Sequence, residues 1–226
     1  LTRSEDFIVE AAHRVRTPLA TVRTQAEVIH RGLEKSKNKT ALREMIRAID
    51  ESSRSAGQLL DHAMVNFRAD QLQTEALDLR KLTAETVERL SPTAELKDIS
   101  IIMQDQGGDF GFDGDPIMLQ NALRNILDNA IKYSFSESDI TVALGRDAHN
   151  YIISFADQGR GFAGANLSDH LQRFKRGTNV KDIVGSGLGL TIVDEVARAH
   201  GGRVKINNNT DTKGGGACVS LYFPLV

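Results

Sequence analysis

Residues 6–33, DFIVEAAHRVRTPLATVRTQAEVIHRGL, carry an apolar side chain at every third or fourth position. This spacing places the apolar side chains on one stripe of a long helix. A polar turn at residues 35–39 follows, and the same spacing resumes from Leu42 to Phe67. Two long helices joined by a short polar turn form an antiparallel hairpin. The first stripe consists of Phe7, Ala11, Val15, Leu19, Val22, Ala26, Ile29 and Leu33.

A single helical hairpin cannot cover both of its own apolar stripes, so another surface must pack against them. We therefore expect two chains to form a dimeric four-helix bundle through this hairpin. The alternative is that the hairpin packs against the second domain of its own chain. Pro18 removes one backbone hydrogen bond within the first helix, which predicts a bend near His13.

The second half of the chain alternates between helical and strand patterns. Residues 1–70 are predicted to form the hairpin domain, residues 71–77 a linker, and residues 78–226 a second domain. The order of its elements predicts an α+β sandwich, in which helices cover one face of an antiparallel or mixed sheet. The predicted helices are LRKLTAETVERLSPTAEL, PIMLQNALRNILDNAIKYS and TIVDEVARAH, and the strands are ISIIMQD, ITVALGR, YIISFAD, RVKINNN and ACVSLYFPLV.

Composition limits the possible partners. The net charge of -2 gives no general attraction to nucleic acid or to anionic lipid. Cys218 is the single cysteine, which excludes an internal disulfide and a cysteine-based metal site. No apolar run reaches the ~20 residues that span a bilayer, so we expect no direct membrane contact. Because residue 1 enters an already periodic segment, we expect an upstream part in the full protein.

One helix face carries residues suited to a metal-bound phosphate. Asn125, Asn129 and Lys132 follow at i, i+4 and i+7, which places them on one side of the helix. Amide oxygens can bind a hard cation, and a lysine can contact phosphate as a point charge. Magnesium takes only one or two protein oxygens when substrate phosphates supply others. The alternative is a polar face exposed to solvent.

Two glycine-containing segments complete a predicted nucleotide pocket. In DQGRGF (157–162), Asp157 can accept a hydrogen bond from an exocyclic amine, while Gly159 and Gly161 allow backbone to approach a flat ring. GSGLGL (185–190) opens a helix, where exposed N–H groups form an anion site. Residues 161–185 would then form a lid that closes over the nucleotide through Phe174, Lys175 and Arg176.

Five motifs in this order, namely AHRVRTPLA, NALRNILDNAIKYS, DQGRGF, LQRFKRG and GSGLGLTIV, strongly resemble the transmitter region of two-component sensor histidine kinases. The resemblance covers nearly the whole chain. It implies a dimerisation and histidine phosphotransfer domain followed by a catalytic ATP-binding domain of the fold shared with gyrase and Hsp90. It also implies ATP and Mg²⁺ as cofactors, a response-regulator receiver domain as partner, and a cytoplasmic fragment of a membrane-anchored protein.

The same resemblance implies roles for individual residues. His13 is the implied phosphoacceptor, and Asn129 the implied magnesium ligand, with Asn125 beside the phosphates. Asp157 would contact the adenine amine. The remaining implied nucleotide-binding residues are Lys132, Tyr133, Gly159, Gly161, Phe174, Arg176, Gly185, Gly187, Leu188 and Gly189.

One position departs from the family pattern. Many members have an acidic residue directly after the histidine, which is assigned to accept a proton, but this chain has Arg14. Glu10 lies at i-3 and Thr17 at i+4 from His13, on the same helix face. Our hypothesis is that Glu10 orients or deprotonates His13, and that Thr17 positions a water for dephosphorylation of the regulator. Arg14 also leaves open a catalytically silent nucleotide-binding scaffold, and the fold leaves open an ATPase.

Overall fold

The computed structural model describes residues 19–27, 29, 37–163, 167–171, 187–209 and 215–225. The chain divides into two compact units, and the second begins at Arg68. Among the described residues, no helix combines the length and apolar character needed to cross a membrane. Several predicted positions lie outside the described residues: Glu10, His13, Arg14, Thr17, Pro18, Phe174, Lys175, Arg176 and Gly185.

Two described helices contribute to the first unit, α1 at 19–27 and α2 at Lys37–Ala69, and the last two residues of α2 belong to the second unit. Helix α2 begins inside the predicted turn because no glycine or proline interrupts the sequence there. Arg23 joins the two helices, since its Nε lies 3.1 Å from Glu27 Oε1 and 3.3 Å from Asp50 Oδ1. The predicted pair of contacting helices is therefore present.

Part of the predicted apolar stripe stays exposed within the single chain. Val22 on α1 is 46% exposed, and Ile29 is 56% exposed. On α2, Met45 is 54% exposed and Leu59 is 52% exposed. These are positions that the sequence places on the apolar stripes, so the stripes are partly exposed in the single chain, and the dimeric bundle remains a prediction.

The second unit contains a five-stranded mixed sheet, as predicted. Its spatial order is β2-β4-β5-β7-β6. Strands β2 and β4 are parallel, and every other neighbouring pair is antiparallel. The bounds are β2 Ile99–Asp105, β4 Ser138–Arg146, β5 Asn150–Ala156, β6 Arg203–Asn208 and β7 Ala217–Pro224.

Helices pack against one face of this sheet, which confirms the predicted α+β sandwich. They are α3 Leu79–Glu95, α4 Pro116–Tyr133 and α5 Gly189–Ala199, with a short 3-10 helix at Leu167–Leu171. Alternate side chains of the strands enter the core, as the period of two requires. The core includes Ile140, Val142, Leu144, Ile153 and Phe155 from strands, and Leu123, Ile126, Leu127, Ile192 and Val196 from helices.

The sequence reading missed two short strands. Strand β1 (Glu75–Asp78) pairs antiparallel with β3 (Gly111–Gly114), and Leu77 lies opposite Phe112. Strand β1 begins within the segment predicted as a linker. Four residues with an acidic side chain at each end show too little alternation to predict a strand. The predicted domain boundaries remain a prediction.

A buried polar cluster holds the start of α4. Asp115 is the N-cap of α4, and its Oδ1 accepts hydrogen bonds from the Ile117 and Met118 amides. Its Oδ2 lies 2.7 Å from Arg68 Nη1, and both side chains are buried. The Asp115 amide donates to His200 Nε2 at 2.9 Å. The cluster therefore ties α4 to Arg68 and to the end of α5.

His200 is neutral in this arrangement. Its Nε2 accepts from an amide, so the ring proton resides on Nδ1, which lies 2.8 Å from the Val196 carbonyl oxygen. Burial lowers the pKa of His200, although the Val196 carbonyl and Asp115 act in the opposite direction. The folded chain thus takes up a proton on this ring less readily than the unfolded chain.

We expect His200 to make the second unit less stable in acid. Because the folded pKa lies below the unfolded value, the contribution is complete above the unfolded pKa of ~6.5 and is lost as pH falls below it. Urea unfolding of wild type and His200→Gln at pH 7.5 and pH 5.5 measures this difference. The wild-type chain should lose more stability than the variant, and equal losses would contradict the assignment.

Candidate functional site

The asparagine face of α4 lies beside the first turn of α5. Asn125 is 6% exposed, and its Nδ2 donates to the Asn121 backbone oxygen at 2.9 Å and to Asn121 Oδ1 at 2.7 Å. Since the amide nitrogen is engaged within α4, the Asn125 carbonyl oxygen is the group that can receive a cation or a donor. Asn129 follows one turn later and is half-buried.

Gly189 brings α5 against this face. A Cβ atom at Gly189 would lie 3.2 Å from Asn129 Nδ2 and 3.3 Å from Asn125 Oδ1. The preceding Gly187 has a φ of +74°, a left-handed conformation that side chains rarely adopt. The structure thus places two separate sequence motifs in direct contact.

The start of α5 can receive an anion. Its N-cap is Leu188, a buried apolar residue that supplies no side-chain hydrogen bond to the helix. In most helices a Ser, Thr, Asp or Asn side chain accepts the first amide protons. Helix α5 instead begins without a hydrogen bond from its N-cap side chain, and the positive end of its dipole favours phosphate.

The C-terminal turn of α4 presents Lys132 and Tyr133. Lys132 Nζ lies 5.0 Å from the centroid of the Tyr133 ring, a distance typical of a cation–π contact. Both residues are half-buried. The helix therefore carries amide oxygens along its length and a cation with an aromatic ring at its end.

Asp157 forms a buried acceptor beyond the end of β5. It is 6% exposed, and its Oδ1 accepts from the Gly159 and Ala217 amides, each at 2.9 Å. In the described part of the chain, no hydrogen bond reaches Oδ2. Burial raises the pKa of Asp157, while the two amides act in the opposite direction. One carboxylate oxygen is thus fixed by backbone, and the other can accept from a ligand.

Backbone packs closely around this carboxylate. A Cβ atom at Gly159 would lie 2.3 Å from the Tyr133 carbonyl oxygen, so any side chain there would separate the two segments. Ser134 and Gly159 form a single antiparallel bridge. Gly161 has a φ of +64°, and a Cβ atom there would lie 2.8 Å from Asn208 Oδ1. These glycines permit an approach of backbone that other residues would prevent.

Sequence reasoning missed residues that support the site. Asn208 Oδ1 accepts from the Phe162 amide at 2.6 Å, and Asn208 Nδ2 donates to the Phe162 oxygen at 3.0 Å. Thr191 Oγ1 donates to the Leu171 oxygen at 3.2 Å, which joins α5 to the 3-10 helix. The sequence offered one signal, since Asn208 ends a strand within an asparagine run. Nothing local links Thr191 to Leu171.

The residues present fit a magnesium–nucleotide complex. Magnesium requires few protein ligands when phosphates supply oxygens, and Asn125 and Asn129 offer amide oxygens beside an anion-binding helix start. Across the described ranges, no cluster of three His, Cys, Asp or Glu residues could hold a metal. Asp157 offers a buried acceptor for an amine.

Two family models match the chain. The model described as "Histidine kinase-, DNA gyrase B-, and HSP90-like ATPase" matches residues 114–226. The model described as "His Kinase A (phospho-acceptor) domain" matches residues 3–65. Together these matches include both halves of the chain.

Individual proteins agree with the family models. Sensor protein QseC of Escherichia coli (strain K12) is 32% identical over 210 residues, covering 92% of this chain and 45% of QseC. The chain thus spans about half the length of the curated relatives it matches. The solved structure of mycobacterial sensor histidine kinase MprB has a TM-score of 0.61 and 27% identity, covering 66% of this chain and 97% of MprB.

One fold neighbour was solved with a nucleotide analogue. The structure described as full-length ShkA in complex with AMPPNP has a TM-score of 0.69, covering 97% of this chain and 45% of ShkA. Its 23% identity supports a likeness of fold.

Proposed function

Since this chain belongs to the sensor histidine kinase family, we propose that it transfers the γ-phosphoryl group of ATP to His13. The phosphoryl group then passes to an aspartate of a response-regulator receiver domain. The observation that carries this proposal is the contact of Gly189 with Asn125 and Asn129. It joins an anion-binding helix start to a face of cation-binding amides, as a magnesium–triphosphate complex requires.

The nucleotide lies between α4, the Asp157 segment and the start of α5. Asp157 Oδ2 accepts a hydrogen bond from the adenine amine, because Oδ1 is held by two amides. Gly159 and Gly161 form the surface under the ring. Lys132 and Tyr133 line the side of the site. The phosphates are held by Gly185, Gly187, Leu188 and Gly189, and the lid closes through Phe174 and Arg176.

Asn129 is the proposed magnesium ligand, and Asn125 lies beside the phosphates. The bound ion supplies positive charge that offsets charge on the phosphate oxygens. Lys132 adds a second positive charge from the end of α4. Asn125 is held in place by its two hydrogen bonds to Asn121, so its oxygen is oriented before the nucleotide binds.

His13 is the proposed nucleophile. Its neutral ring nitrogen forms a bond to the γ-phosphorus, the bond from that phosphorus to the bridging oxygen breaks, and ADP leaves. The positive charge of Arg14, next to His13 in the sequence, favours the neutral, nucleophilic ring. Glu10 orients His13 or accepts its proton, and Thr17 positions a water in the reverse, phosphatase direction. A Glu10→Gln variant phosphorylated at the wild-type rate would exclude this role for Glu10.

We assign residues 1–70 to dimerisation and phosphotransfer, 71–77 to a linker and 78–226 to nucleotide binding. The exposed Val22, Ile29, Met45 and Leu59 side chains support a homodimer through the hairpin. Sedimentation of the chain as a monomer at micromolar concentration would contradict it. The family resemblance further suggests a membrane-anchored parent with this fragment in the cytoplasm, which fractionation of cells containing the full protein tests.

Autophosphorylation tests the proposal directly. Wild type incubated with Mg-ATP labelled at the γ-phosphate should acquire label that is labile in acid and stable in alkali. His13→Ala should acquire none, because the accepting nitrogen is absent. His149→Ala is the matched control, since His149 is exposed in the β4–β5 turn, and it should label like wild type.

Other results of this assay identify the alternatives. ATP binding without label in wild type would indicate a silent scaffold. Steady release of phosphate without labelled protein would indicate an ATPase. Equal label on wild type and His13→Ala would show that another residue accepts the phosphoryl group.

A further inference from the structure

Lys97 holds the C-terminal end of α4, although it belongs to the turn between α3 and β2. Its Nζ donates to the Ile131 carbonyl oxygen at 2.6 Å and to the Lys132 carbonyl oxygen at 3.2 Å. A longer contact of 3.5 Å reaches the Ser134 carbonyl oxygen. A lysine ammonium has three donors, so one side chain serves three backbone acceptors.

The C-terminal end of α4 favours a positively charged side chain. The last four carbonyls of a helix lack helical partners, and they form the negative end of the helix dipole. Asp98, directly after Lys97, adopts a φ of +56°, and its amide donates to the Glu95 oxygen at 3.0 Å. This tight turn reverses the chain after α3 and brings the Lys97 side chain to α4. Desolvation lowers the pKa of Lys97, as expected for an ammonium withdrawn from water.

The backbone that Lys97 contacts belongs to the nucleotide site. Lys132 and Tyr133 occupy this last turn, and Ser134 forms the bridge to Gly159. A Cβ atom at Gly159 would lie 2.3 Å from the Tyr133 carbonyl oxygen, and the Gly159 amide donates to Asp157 Oδ1. The position of the carboxylate relative to α4 therefore depends on where this turn lies.

We propose that Lys97 is a positioning residue for the adenine side of the nucleotide site. Its hydrogen bonds to the last carbonyl oxygens of α4 fix the position of the Tyr133–Ser134 backbone against Gly159. They thereby fix the distance from α4 to the Asp157 carboxylate. It touches no substrate atom and acts through the backbone. The inference rests on the proposed function, because it assigns this residue to the same nucleotide site.

Binding of ADP and amide exchange together test the inference. Lys97→Met should bind ADP about tenfold more weakly than wild type, because the Asp157 carboxylate is then no longer held at its position relative to α4. Lys97→Arg retains a charged donor and should bind within about threefold of wild type. Lys81→Met is the matched control, because Lys81 is exposed at the opposite end of α3, and it should bind as wild type does.

Hydrogen exchange without nucleotide separates positioning from general loss of stability. In Lys97→Met, the Ser134 and Gly159 amides should exchange at least tenfold faster, while the Ile153 amide in the core strand β5 keeps its wild-type rate. Faster exchange at all three amides would overturn positioning in favour of general destabilisation. Unchanged exchange at Ser134 and Gly159 would also overturn it.

The outcomes distinguish this inference from the proposed function. If wild type binds ADP and Lys97→Met binds it equally well, the role of Lys97 is wrong and the nucleotide site stands. If wild type binds no ADP, both proposals fail. Should Lys97→Met not fold, Lys97→Gln, which keeps an uncharged donor, replaces it and should bind ADP more weakly than Lys97→Arg. Affinity of Lys97→Gln equal to wild type would again overturn the inference.

Discussion

Asp157→Asn should bind ATP about 10- to 100-fold more weakly than wild type, which corresponds to one charge-assisted hydrogen bond. The asparagine oxygen can keep the hydrogen bonds that Oδ1 accepts from the Gly159 and Ala217 amides. Its amide nitrogen then takes the place of Oδ2 and presents a donor to the adenine amine, which is also a donor. Two donors cannot pair, so the proposed adenine contact would be lost.

The base preference should change along with the affinity. Guanine carries a carbonyl oxygen where adenine carries the amine, so an amide donor at position 157 suits guanine better. Titration with ATP and with GTP measures both affinities. The ratio of the affinity for ATP to the affinity for GTP should be smaller in the variant than in wild type. Asp147→Asn is the matched control, because Asp147 also accepts backbone hydrogen bonds, from His149 and Asn150, but in an exposed turn. An unchanged ATP-to-GTP ratio in Asp157→Asn would exclude direct contact with the base.

Asp115→Ala should lower the free energy of unfolding of the second unit by about 3–5 kcal/mol. Asp115 is fully buried, and it pairs at 2.7 Å with the buried Arg68 guanidinium. Removing the carboxylate leaves a buried positive charge without that partner. It also removes the acceptor for the Ile117 and Met118 amides at the start of α4, a cap worth about 1 kcal/mol.

Two variants separate the charge from the cap. Asp115→Asn keeps an oxygen for the helix amides and loses the charge, so its stability should lie between those of wild type and Asp115→Ala. Asp78→Ala removes the cap of α3, where Asp78 is exposed, and should cost only about 1 kcal/mol. Urea unfolding, monitored by circular dichroism, measures the free energy of unfolding of all three variants. Equal losses in Asp115→Ala and Asp78→Ala would show that the buried ion pair contributes little.

Local patterns predicted the regular elements well. Strand β2 was expected at ISIIMQD and occupies Ile99–Asp105, and PIMLQNALRNILDNAIKYS contains α4, Pro116–Tyr133. These segments bury one face each, so their apolar period is visible along the chain. Strands β1 and β3 were missed because each is four residues long, and β3 begins and ends with glycine.

The candidate site was predictable where chemistry follows a short motif. Local spacing predicts Asn125, Asn129, Asp157 and Gly189 as site residues, and the structure brings Gly189 against both asparagines. Local spacing does not predict the supporting residues, because their partners are distant in sequence. Lys97 contacts residues 34 to 37 positions later, and Arg68 pairs with a residue 47 positions away.

The family, the helical hairpin, the mixed sheet and the motifs that carry nucleotide chemistry are all predictable from the chain alone, since each depends on residue type and on short-range period. The backbone groups that hold those motifs in place are set by tertiary packing. The sequence around a lysine in a turn does not predict which carbonyl oxygens the lysine contacts. Asp115 and His200 form their hydrogen bond only when α4 and α5 pack together. Such contacts depend on the packing of distant segments, which local spacing does not encode.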